Sequence, residues 1–305
     1  MTEKKNFEVL IIGGSYAGLS AAMALGRSMR LVLIIDSGKP CNIQAPHSHN
    51  FLTQDGQTPG QITAIGKEQV LQYKTIQVIH AKAVSAKKMD AGFEVVTESG
   101  VSYTGNKILF ATGIADQMLS IQGFAECWGI TIAHCPYCHG YEVRDTALGV
   151  LANGDAAFEL CRMINHWSKN LTLFTNGKST LAQDQENKIR MKNINIAETE
   201  IESIENNDGR IQNIVFKDGA TCSIAALFTR VPFEQHCRLP EELGCTMTKD
   251  GFIETDDLHR TNIAGVYAAG DNSTPLRAVS AAVAAGTKAG AFINKELIDE
   301  SFENP

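Results

Sequence analysis

The chain has 305 residues, of which 44% are hydrophobic and 20% charged; its net charge is −7 and its isoelectric point near 5.6. This length predicts two domains, each large enough for its own core. The acidic balance argues against a nucleic-acid partner, and no apolar run approaches the ~20 residues of a membrane helix. We therefore expect a cytoplasmic protein, in which a close cysteine pair is catalytic rather than structural.

A buried strand and a glycine-rich turn open the chain. The apolar run at 7–12 leads into Gly13-Gly14-Ser15-Tyr16-Ala17-Gly18, a helical segment follows at 19–29, and a second strand at 31–35 ends in Asp36. This order is typical of a dinucleotide-binding fold, in which glycines admit a pyrophosphate and the acid binds a ribose. Ser15 replaces the middle glycine of the usual motif, so a generic buried strand and helix is the alternative.

The next hundred residues alternate loop and strand. The irregular stretch 40–60 contains His47 and His49. We expect each histidine to hydrogen-bond the loop to itself, and a position facing a cofactor or substrate is the alternative. A helix is predicted at 61–73 and strands at 77–84, 93–97, 101–103 and 107–110. The last strand ends in Ala111-Thr112-Gly113, a small-residue turn against which a flat cofactor can lie.

Between residues 116 and 147 stands the run His134-Cys135-Pro136-Tyr137-Cys138-His139. Two cysteines two residues apart can close a small disulfide ring, which thiol–disulfide exchange opens and closes. A flanking imidazole can carry a proton to or from a thiolate near neutral pH. Zinc is the alternative, but the sequence has no second CxxC, and four ligands within six residues would strain a tetrahedron. We predict a redox pair and no metal site.

A second strand–turn–helix–strand unit follows, with a strand at 147–151, a helix at 156–167 and a strand at 171–174. Its nucleotide-binding groups are poor. Ala152 replaces the first glycine, and Asp155 puts a negative charge at the helix start, where we expect it to act as the N-cap. Asn176-Gly177-Lys178 supply neither a ribose-binding acid nor an arginine. The fold of a nicotinamide domain is predicted, but NADPH binding is in doubt.

The chain closes with a strand that ends in Ala269-Gly270-Asp271 and an alanine-rich helix at 275–295. Together with the first turn, Asp36, Ala111-Thr112-Gly113 and the CxxC, this ending resembles the low-molecular-weight thioredoxin reductases over nearly the whole chain. The resemblance implies an α/β fold of two Rossmann-like, three-layer (ββα) nucleotide-binding domains, the second inserted into the first. Residues 1–115 plus 240–305 would form a discontinuous FAD domain, and 116–239 a redox CxxC and degenerate NAD(P)H-binding-like domain.

The resemblance also implies a homodimer in which Cys138 makes the charge-transfer contact with the flavin and Cys135 attacks the substrate disulfide. The residues that would bind FAD are Gly13, Gly14, Ser15, Ala17, Gly18, Asp36, Ser37, Ala111, Thr112, Gly113, Gly270, Asp271, Arg277 and Ala278. Arg277-Ala278 departs from the family's Arg-Gln pair, and His139 stands where the family has an acid.

The run from Cys135 to Glu142 is more similar to the subgroup of dithiol oxidases that close disulfides in natural products such as gliotoxin and holomycin. In that chemistry His139 is the base, and His134 is a second candidate. The first hypothesis is thus an FAD-dependent dithiol/disulfide oxidoreductase independent of NADPH, with oxygen or a donor such as ferredoxin as its electron partner. The alternatives are an NADPH-dependent reductase of a thioredoxin-like protein and a non-catalytic, flavin-binding redox sensor.

Overall fold

The computed structural model describes residues 5–303. The first part of the chain contains β1 Lys5–Ile12, α1 Tyr16–Arg27, β2 Val32–Asp36, α2 Pro59–Leu71, β3 Ile76–His80, β4 Ala83–Lys88, β5 Phe93–Thr97, β6 Ser102–Phe110 and β7 Ile114–Asp116. The middle part contains α3 Phe124–Cys127, β8 Ile132–Ala133, α4 Pro136–His139, β9 Leu148–Leu151, α5 Gly154–Ile164, β10 Leu171–Phe174, α6 Gln183–Met191, β11 Asn195–Ala197, β12 Ile201–Asn207, β13 Arg210–Phe216, β14 Thr221–Cys222 and β15 Ala226–Thr229. The last part contains β16 Phe233–Gln235, α7 Leu239–Glu242, β17 Val266–Ala268 and α8 Val279–Glu303.

These elements form two compact units. Unit one contains the chain up to Ile43, Asn50–Ala115 and the chain from Phe233 onward; unit two contains Asp116–Pro232 and the short segment Gln44–His49. Each unit has a parallel sheet with helices, and the predicted α/β class is confirmed. Within residues 5–303, no helix has both the length and the apolar character needed to cross a membrane.

Unit one is built on a seven-stranded sheet in the order β3-β2-β1-β6-β5-β4, with β17 also paired to β6. Strands β1, β2, β3, β6 and β17 are parallel, and β4 and β5 are antiparallel to their neighbours. The side chains of Val9, Leu10 and Ile11 are fully buried, as expected for a central strand covered on both faces. The carboxyl ends of β1, β2, β6 and β17 therefore meet at one edge of the sheet.

Helices α1 and α8 pack closely on this sheet in unit one. The apolar side of α1 is buried with Tyr267 of β17 and with Ala289 and Ile293 of α8. The alanine-rich sequence of α8 suits this contact, because small side chains let two helix backbones approach each other. The packing holds the start of α1 rigidly at the carboxyl edge of the sheet.

Unit two has a five-stranded parallel sheet in the order β11-β10-β9-β15-β8 and a three-stranded antiparallel sheet, β12-β13-β14. Val150 and Leu173 are fully buried at the centre of the parallel sheet. Helix α5 covers one face through Ala157, Leu160 and Ile164. The order of β9, α5 and β10 matches the strand–helix–strand unit that the sequence predicts.

Several elements differ from the sequence-based expectation. Helix α1 begins three residues before the predicted 19–29, and α8 covers Val279–Glu303 where 275–295 is predicted. The strand predicted at 77–84 is two strands, β3 and β4, and the strands predicted at 101–103 and 107–110 are one continuous strand, β6. The helix predicted at 156–167 begins two residues earlier, and its N-cap is Asn153 rather than Asp155, which lies in the first turn. The amide of Asn153 takes the capping position because its oxygen accepts a hydrogen bond from the N–H of Gly154 at 2.9 Å.

Candidate functional site

A disulfide joins Cys135 and Cys138, whose Cα atoms are 5.4 Å apart. The buried strand β8 leads to this site, and Cys135 is the N-cap residue of the one-turn helix α4. Pro136 begins that helix, where its fixed φ is favourable and its missing N–H costs nothing. Both cysteines are half-buried. The predicted disulfide is thus confirmed, in a short, rigid ring that an external thiol can approach.

Five of the six other cysteines that the structure describes are unsuited to thiol chemistry at neutral pH. Burial raises the pKa of the Cys161 thiol to about 12, and it also raises the thiol pKa of four others. A protonated thiol is a poor nucleophile. Those four are Cys127, Cys222, Cys237 and Cys245, whereas Cys41 is exposed.

His139 is the last residue of α4, next to Cys138 in the chain. Burial lowers the pKa of its imidazole below the usual range, the negative charge of Glu142 opposes that shift, and His49 adds to it. At neutral pH the ring is therefore unprotonated and can accept a proton. Its position and its protonation state both suit a base that acts on a thiol at this disulfide.

His134 precedes Cys135 and lies in a different environment. Its ring stacks on Trp128, with centroids 6.1 Å apart and planes inclined by 27°. Trp128 in turn stacks on Phe124, and both of these aromatic side chains belong to the core of unit two. This packing gives His134 a supporting function, and it ranks below His139 as a candidate base.

His49 is brought to the redox helix from the long loop of the N-terminal part. Its Nε2 lies 3.6 Å from Oε1 of Glu142, and its ring is 6.3 Å from that of His47. Ser48, between the two histidines, is buried. The segment Gln44–His49 packs as part of unit two. The contact with Glu142 reaches beyond the loop of His49, so it supports a position facing the site rather than hydrogen bonding within the loop alone.

Exposed aromatic rings border the disulfide. Tyr137 is 66% exposed and meets the edge of Trp167, with centroids 5.5 Å apart. Tyr141 is 65% exposed, and the guanidinium of Arg144 lies 3.9 Å from the centre of its ring. Gly140 makes room for this arrangement, because a Cβ there would come within 3.0 Å of the Trp167 ring. The disulfide is therefore presented beside an apolar, partly solvent-exposed surface.

In unit one, the glycine-rich turn lies at the carboxyl edge of the sheet. The N–H of Gly14 donates to Oδ1 of Asp36 at 3.1 Å, so the turn and the acid at the end of β2 are in contact. Gly13 has a φ of +106°, and a Cβ there would lie 2.2 Å from the carbonyl oxygen of Ala111. This contact joins the first turn to the turn Ala111-Thr112-Gly113 after β6.

The first turn of α1 is suited to an anion. No acidic residue lies in it, and, within the described part of the chain, the Ser15 side chain makes no capping hydrogen bond. The backbone N–H groups at the start of this twelve-residue helix, together with the helix dipole, favour a phosphate. Ala17 and Gly18 are buried in that first turn, and Ser37 follows Asp36 half-buried.

The ending of β17 completes the same edge. Asp271 lies 3.7 Å from Nε of Arg277 and accepts a weak hydrogen bond from the thiol of Cys41, also at 3.7 Å. Asn272 is fully buried, and its amide nitrogen donates to the carbonyl oxygen of Phe110 at 2.9 Å. Ala278 stands directly before α8. Unit one thus brings together the predicted cofactor residues of its four segments.

The equivalent turn of unit two is different, because side chains of the protein occupy it. Oδ1 of Asn153 accepts hydrogen bonds from the N–H groups of Gly154 and Thr180, at 2.9 and 2.8 Å, and its Nδ2 donates to the carbonyl oxygen of Lys178 at 2.9 Å. Asp155 places a negative charge in the first turn of α5, where it accepts a hydrogen bond from Gln185. Both features disfavour a phosphate at this helix start.

The sequence analysis did not single out Asn272, which donates a hydrogen bond to the Phe110 carbonyl oxygen, or Glu142, which contacts His49. Asn272 follows the recognised Gly270-Asp271 pair, so its position was a usable signal for a buried polar side chain at the sheet edge. Glu142 lies three residues after His139 within the run already identified, a spacing that brings side chains together on a helix or turn. The pairing of Glu142 with His49, by contrast, has no local signal, because the two are far apart in sequence.

Comparison with known proteins agrees with these features. Residues 7–286 match the family described as pyridine nucleotide-disulphide oxidoreductase. Thioredoxin reductase tcpT of Claviceps purpurea is 33% identical over 309 residues, covering 98% of this chain and 96% of that protein. The oxidoreductase structure from Agrobacterium tumefaciens is 35% identical with a TM-score of 0.91, covering 96% of this chain and 99% of that one.

The crystal structure of HlmI is 29% identical with a TM-score of 0.92, covering 99% of this chain and 96% of that one. The likeness extends over both units and includes the disulfide-bearing segment and the glycine-rich turn. The chain therefore belongs to the pyridine nucleotide-disulphide oxidoreductase family, as a thioredoxin reductase-like enzyme, and this membership implies a flavin cofactor.

Proposed function

We propose that the protein is an FAD-dependent dithiol oxidase that works through the Cys135–Cys138 disulfide and does not depend on NADPH. The observation that carries this proposal is the contrast between the two nucleotide turns. The start of α1 is open to a phosphate, whereas Asn153 and Asp155 occupy the start of α5. The resemblance of the CxxC run to natural-product dithiol oxidases supports the direction of electron flow.

The residues of unit one fit the flavin nucleotide. The turn Gly13 to Gly18, with Ser15 and Ala17, would hold the pyrophosphate at the start of α1, and Asp36 with Ser37 would hold the adenosine ribose. Ala111, Thr112 and Gly113 would lie against the cofactor. Gly270, Asp271, Arg277 and Ala278 would bind its remaining polar groups. On this assignment, residues 1–115 plus 240–305 form the FAD domain and 116–239 the redox domain.

Substitution of Gly13 by alanine is expected to prevent flavin binding. The new Cβ would lie 2.2 Å from the Ala111 carbonyl oxygen, at a φ of +106° that disfavours any side chain, so the two turns must separate. We expect about 3 kcal/mol or more of destabilisation. The ratio of flavin to protein absorbance after purification measures the binding, and the melting temperature measures stability.

Gly60→Ala is the matched control for this change. Gly60 lies in the first turn of α2, and a Cβ added there would point into open space, with no side chain or packed backbone within 4 Å. That variant is expected to keep a full complement of flavin. Normal flavin content in Gly13→Ala would contradict the assigned cofactor turn.

The chemistry at the disulfide follows from the positions of its cysteines and of His139. A substrate thiolate attacks Sγ of Cys135, the bond to Cys138 breaks, and Cys138 leaves as a thiolate. His139 takes the proton of the second substrate thiol, whose sulfur then attacks the mixed disulfide and frees Cys135. The substrate loses two electrons and becomes a disulfide, and the cysteine pair gains them. When bound, FAD supplies the two-electron acceptor for this pair, and oxygen is the final oxidant, reduced to hydrogen peroxide.

A small dithiol fits the surroundings of the disulfide better than a polar partner does. The exposed ring of Tyr137 offers an apolar surface to such a substrate, and the exposed Tyr141 ring, with Arg144 over it, lies in the turn that follows. A thioredoxin-like protein is the alternative partner, which the name of the Claviceps purpurea relative favours, and that alternative requires NADPH or another donor such as ferredoxin. We further propose a cytoplasmic homodimer, on the family resemblance.

An anaerobic titration of the purified flavoprotein, first with NADPH and then with dithiothreitol, tests this proposal. We expect NADPH to leave the flavin absorbance unchanged, and dithiothreitol to bleach it or to raise a long-wavelength thiolate–flavin band. Readmitted air should restore the oxidised spectrum and yield one hydrogen peroxide per dithiol. Rapid bleaching by micromolar NADPH would instead identify a thioredoxin reductase-like NADPH enzyme. A protein that oxidises or reduces no thiol at all would favour the redox sensor.

A further inference from the structure

The histidine segment, Gln44–His49, belongs to unit two although the chain on both sides of it belongs to unit one. Two observations show that it is held there. Ser48 is buried, with 7% of its surface exposed, and His49 places Nε2 3.6 Å from Oε1 of Glu142. Glu142 lies in the turn after the redox helix α4. The segment therefore delivers an ionisable side chain to the immediate neighbourhood of the disulfide.

Glu142 lies three residues after His139 in the chain, and its Oε1 is 3.6 Å from Nε2 of His49. These two ionisable groups act on the pKa of the His139 imidazole in opposite directions. Glu142, from the turn that follows α4, raises the pKa of His139, and His49, from the histidine segment, lowers it. His47 lies beyond His49, with 6.3 Å between the ring centroids. Because Glu142 contacts His49, one carboxylate influences both imidazoles.

We propose that Glu142 and His49 form a positioning pair for His139, through which the histidine segment controls proton transfer at the Cys135–Cys138 disulfide. This inference rests on the proposed function, in which His139 is the base. In the proposed mechanism, neither Glu142 nor His49 contacts a reacting sulfur atom. Glu142 favours the protonated form of His139, and His49 opposes that effect when it is itself protonated.

If the pair acts in this way, substitutions of Glu142 and His49 should change the pKa of His139 in opposite directions. Glu142→Gln takes away the negative charge, so the pKa of His139 falls. His49→Gln removes a side chain that is positively charged only when protonated, and the loss of that charge should raise the pKa of His139. His49→Lys keeps a positive charge on a differently shaped side chain and should reverse the effect of His49→Gln. A purely structural role would make His49→Gln and His49→Lys alike.

The test is an NMR titration of the histidine ring protons in the full-length, flavin-loaded, oxidised protein, with His139→Asn used to assign the His139 signal. We expect its midpoint to move to lower pH in Glu142→Gln, to higher pH in His49→Gln, and back towards wild type in His49→Lys. Glu159→Gln removes an exposed carboxylate from α5 in the same unit and should leave the midpoint unchanged. Shifts in one common direction, or no shift in either charge-removing variant, would refute the pair.

Stopped-flow reduction of the flavin by dithiothreitol supplies a second readout. On the acidic side of the His139 midpoint, the rate should rise in Glu142→Gln and fall in His49→Gln, each by about twofold to fivefold, as expected for a solvent-screened pair. At a given pH, the fraction of ionised dithiothreitol is the same for all variants. The ratio of each variant's rate to the wild-type rate therefore reports only the effect of the substitution. If no variant or wild-type protein turns over a dithiol, the proposed function fails while the NMR shifts still test the pair. Turnover without the shifts refutes the pair alone.

Discussion

Cys135→Ser and Cys138→Ser are each expected to lower dithiol turnover by roughly a thousandfold or more. A serine hydroxyl cannot form or reopen the disulfide that joins these positions, so the cysteine pair can no longer take two electrons from a substrate. Steady-state oxidation of a dithiol, followed by oxygen uptake, measures the loss. Flavin content should stay normal, because the proposed cofactor residues lie in unit one.

The two variants should differ in what they retain, which tests the separate roles proposed for the sulfurs. Cys138→Ser leaves Cys135 able to form a mixed disulfide with a substrate or with a chromogenic disulfide reagent. Cys135→Ser leaves Cys138 able to give a long-wavelength thiolate–flavin band at alkaline pH. If instead Cys135→Ser forms the mixed disulfide and Cys138→Ser gives the thiolate–flavin band, the assignment of the attacking and the flavin-facing sulfur must be exchanged.

Cys222→Ser is the control for these substitutions. Cys222 lies half-buried in β14 of the same unit, and burial raises the pKa of its thiol, so it is protonated at neutral pH. Turnover in this variant should match wild type. A Cys135→Ser protein that keeps more than about a tenth of wild-type turnover would show that another route carries the electrons.

The strands and turns at the carboxyl edge of unit one were predictable because their signals are local. The uninterrupted apolar run at residues 9–12, directly before Gly13, specifies a strand buried on both faces, and Asp36 ends the next apolar run. The difference between the two glycine-containing turns was also visible in outline, since Ala152 and Asp155 depart from the usual nucleotide-binding pattern. The chemistry of a turn is largely determined by its own residues.

Features that depend on tertiary pairing were not predictable in the same way. Strand β6 continues through the polar and small residues Thr104, Gly105 and Asn106, because β1 pairs with it along one side and β5 along the other. The apolar pattern is broken there, so the sequence suggests two strands. The capping function of Asn153 likewise depends on Thr180 and Lys178, which only the folded chain brings within hydrogen-bonding distance.

The arrangement around the disulfide combines both kinds of information. The CxxC spacing and the adjacent His139 are local signals, and they predicted a disulfide between Cys135 and Cys138 with a candidate base beside it. The contact between His49 and Glu142 joins residues 93 positions apart, and no periodicity in either segment indicates it. This contact is therefore visible only in the folded chain, whereas the cysteine pair is visible in the sequence.

His139→Gln is expected to slow thiol oxidation by about a hundredfold to ten-thousandfold near neutral pH, the usual effect of removing a general base. Glutamine keeps similar volume and polarity, but it cannot accept a proton. Both proteins need an ionised substrate thiol, so the rates are compared after division by the fraction of ionised substrate. Burial lowers the pKa of His139, so the corrected wild-type rate should be constant above that lowered value and should fall as the pH drops through it. In the variant, this acidic limb should disappear.

The pH profile of kcat/KM with one dithiol, measured for wild type and variant, provides the decisive comparison. His134→Gln serves as the companion variant, because His134 is also next to a cysteine but its ring stacks on Trp128 in the core of unit two. We expect it to lower the melting temperature while changing turnover less than about tenfold and keeping the acidic limb. If His134→Gln removes the limb and His139→Gln retains it, the two histidines have exchanged roles, and Glu142 and His49 surround a residue that is not the base.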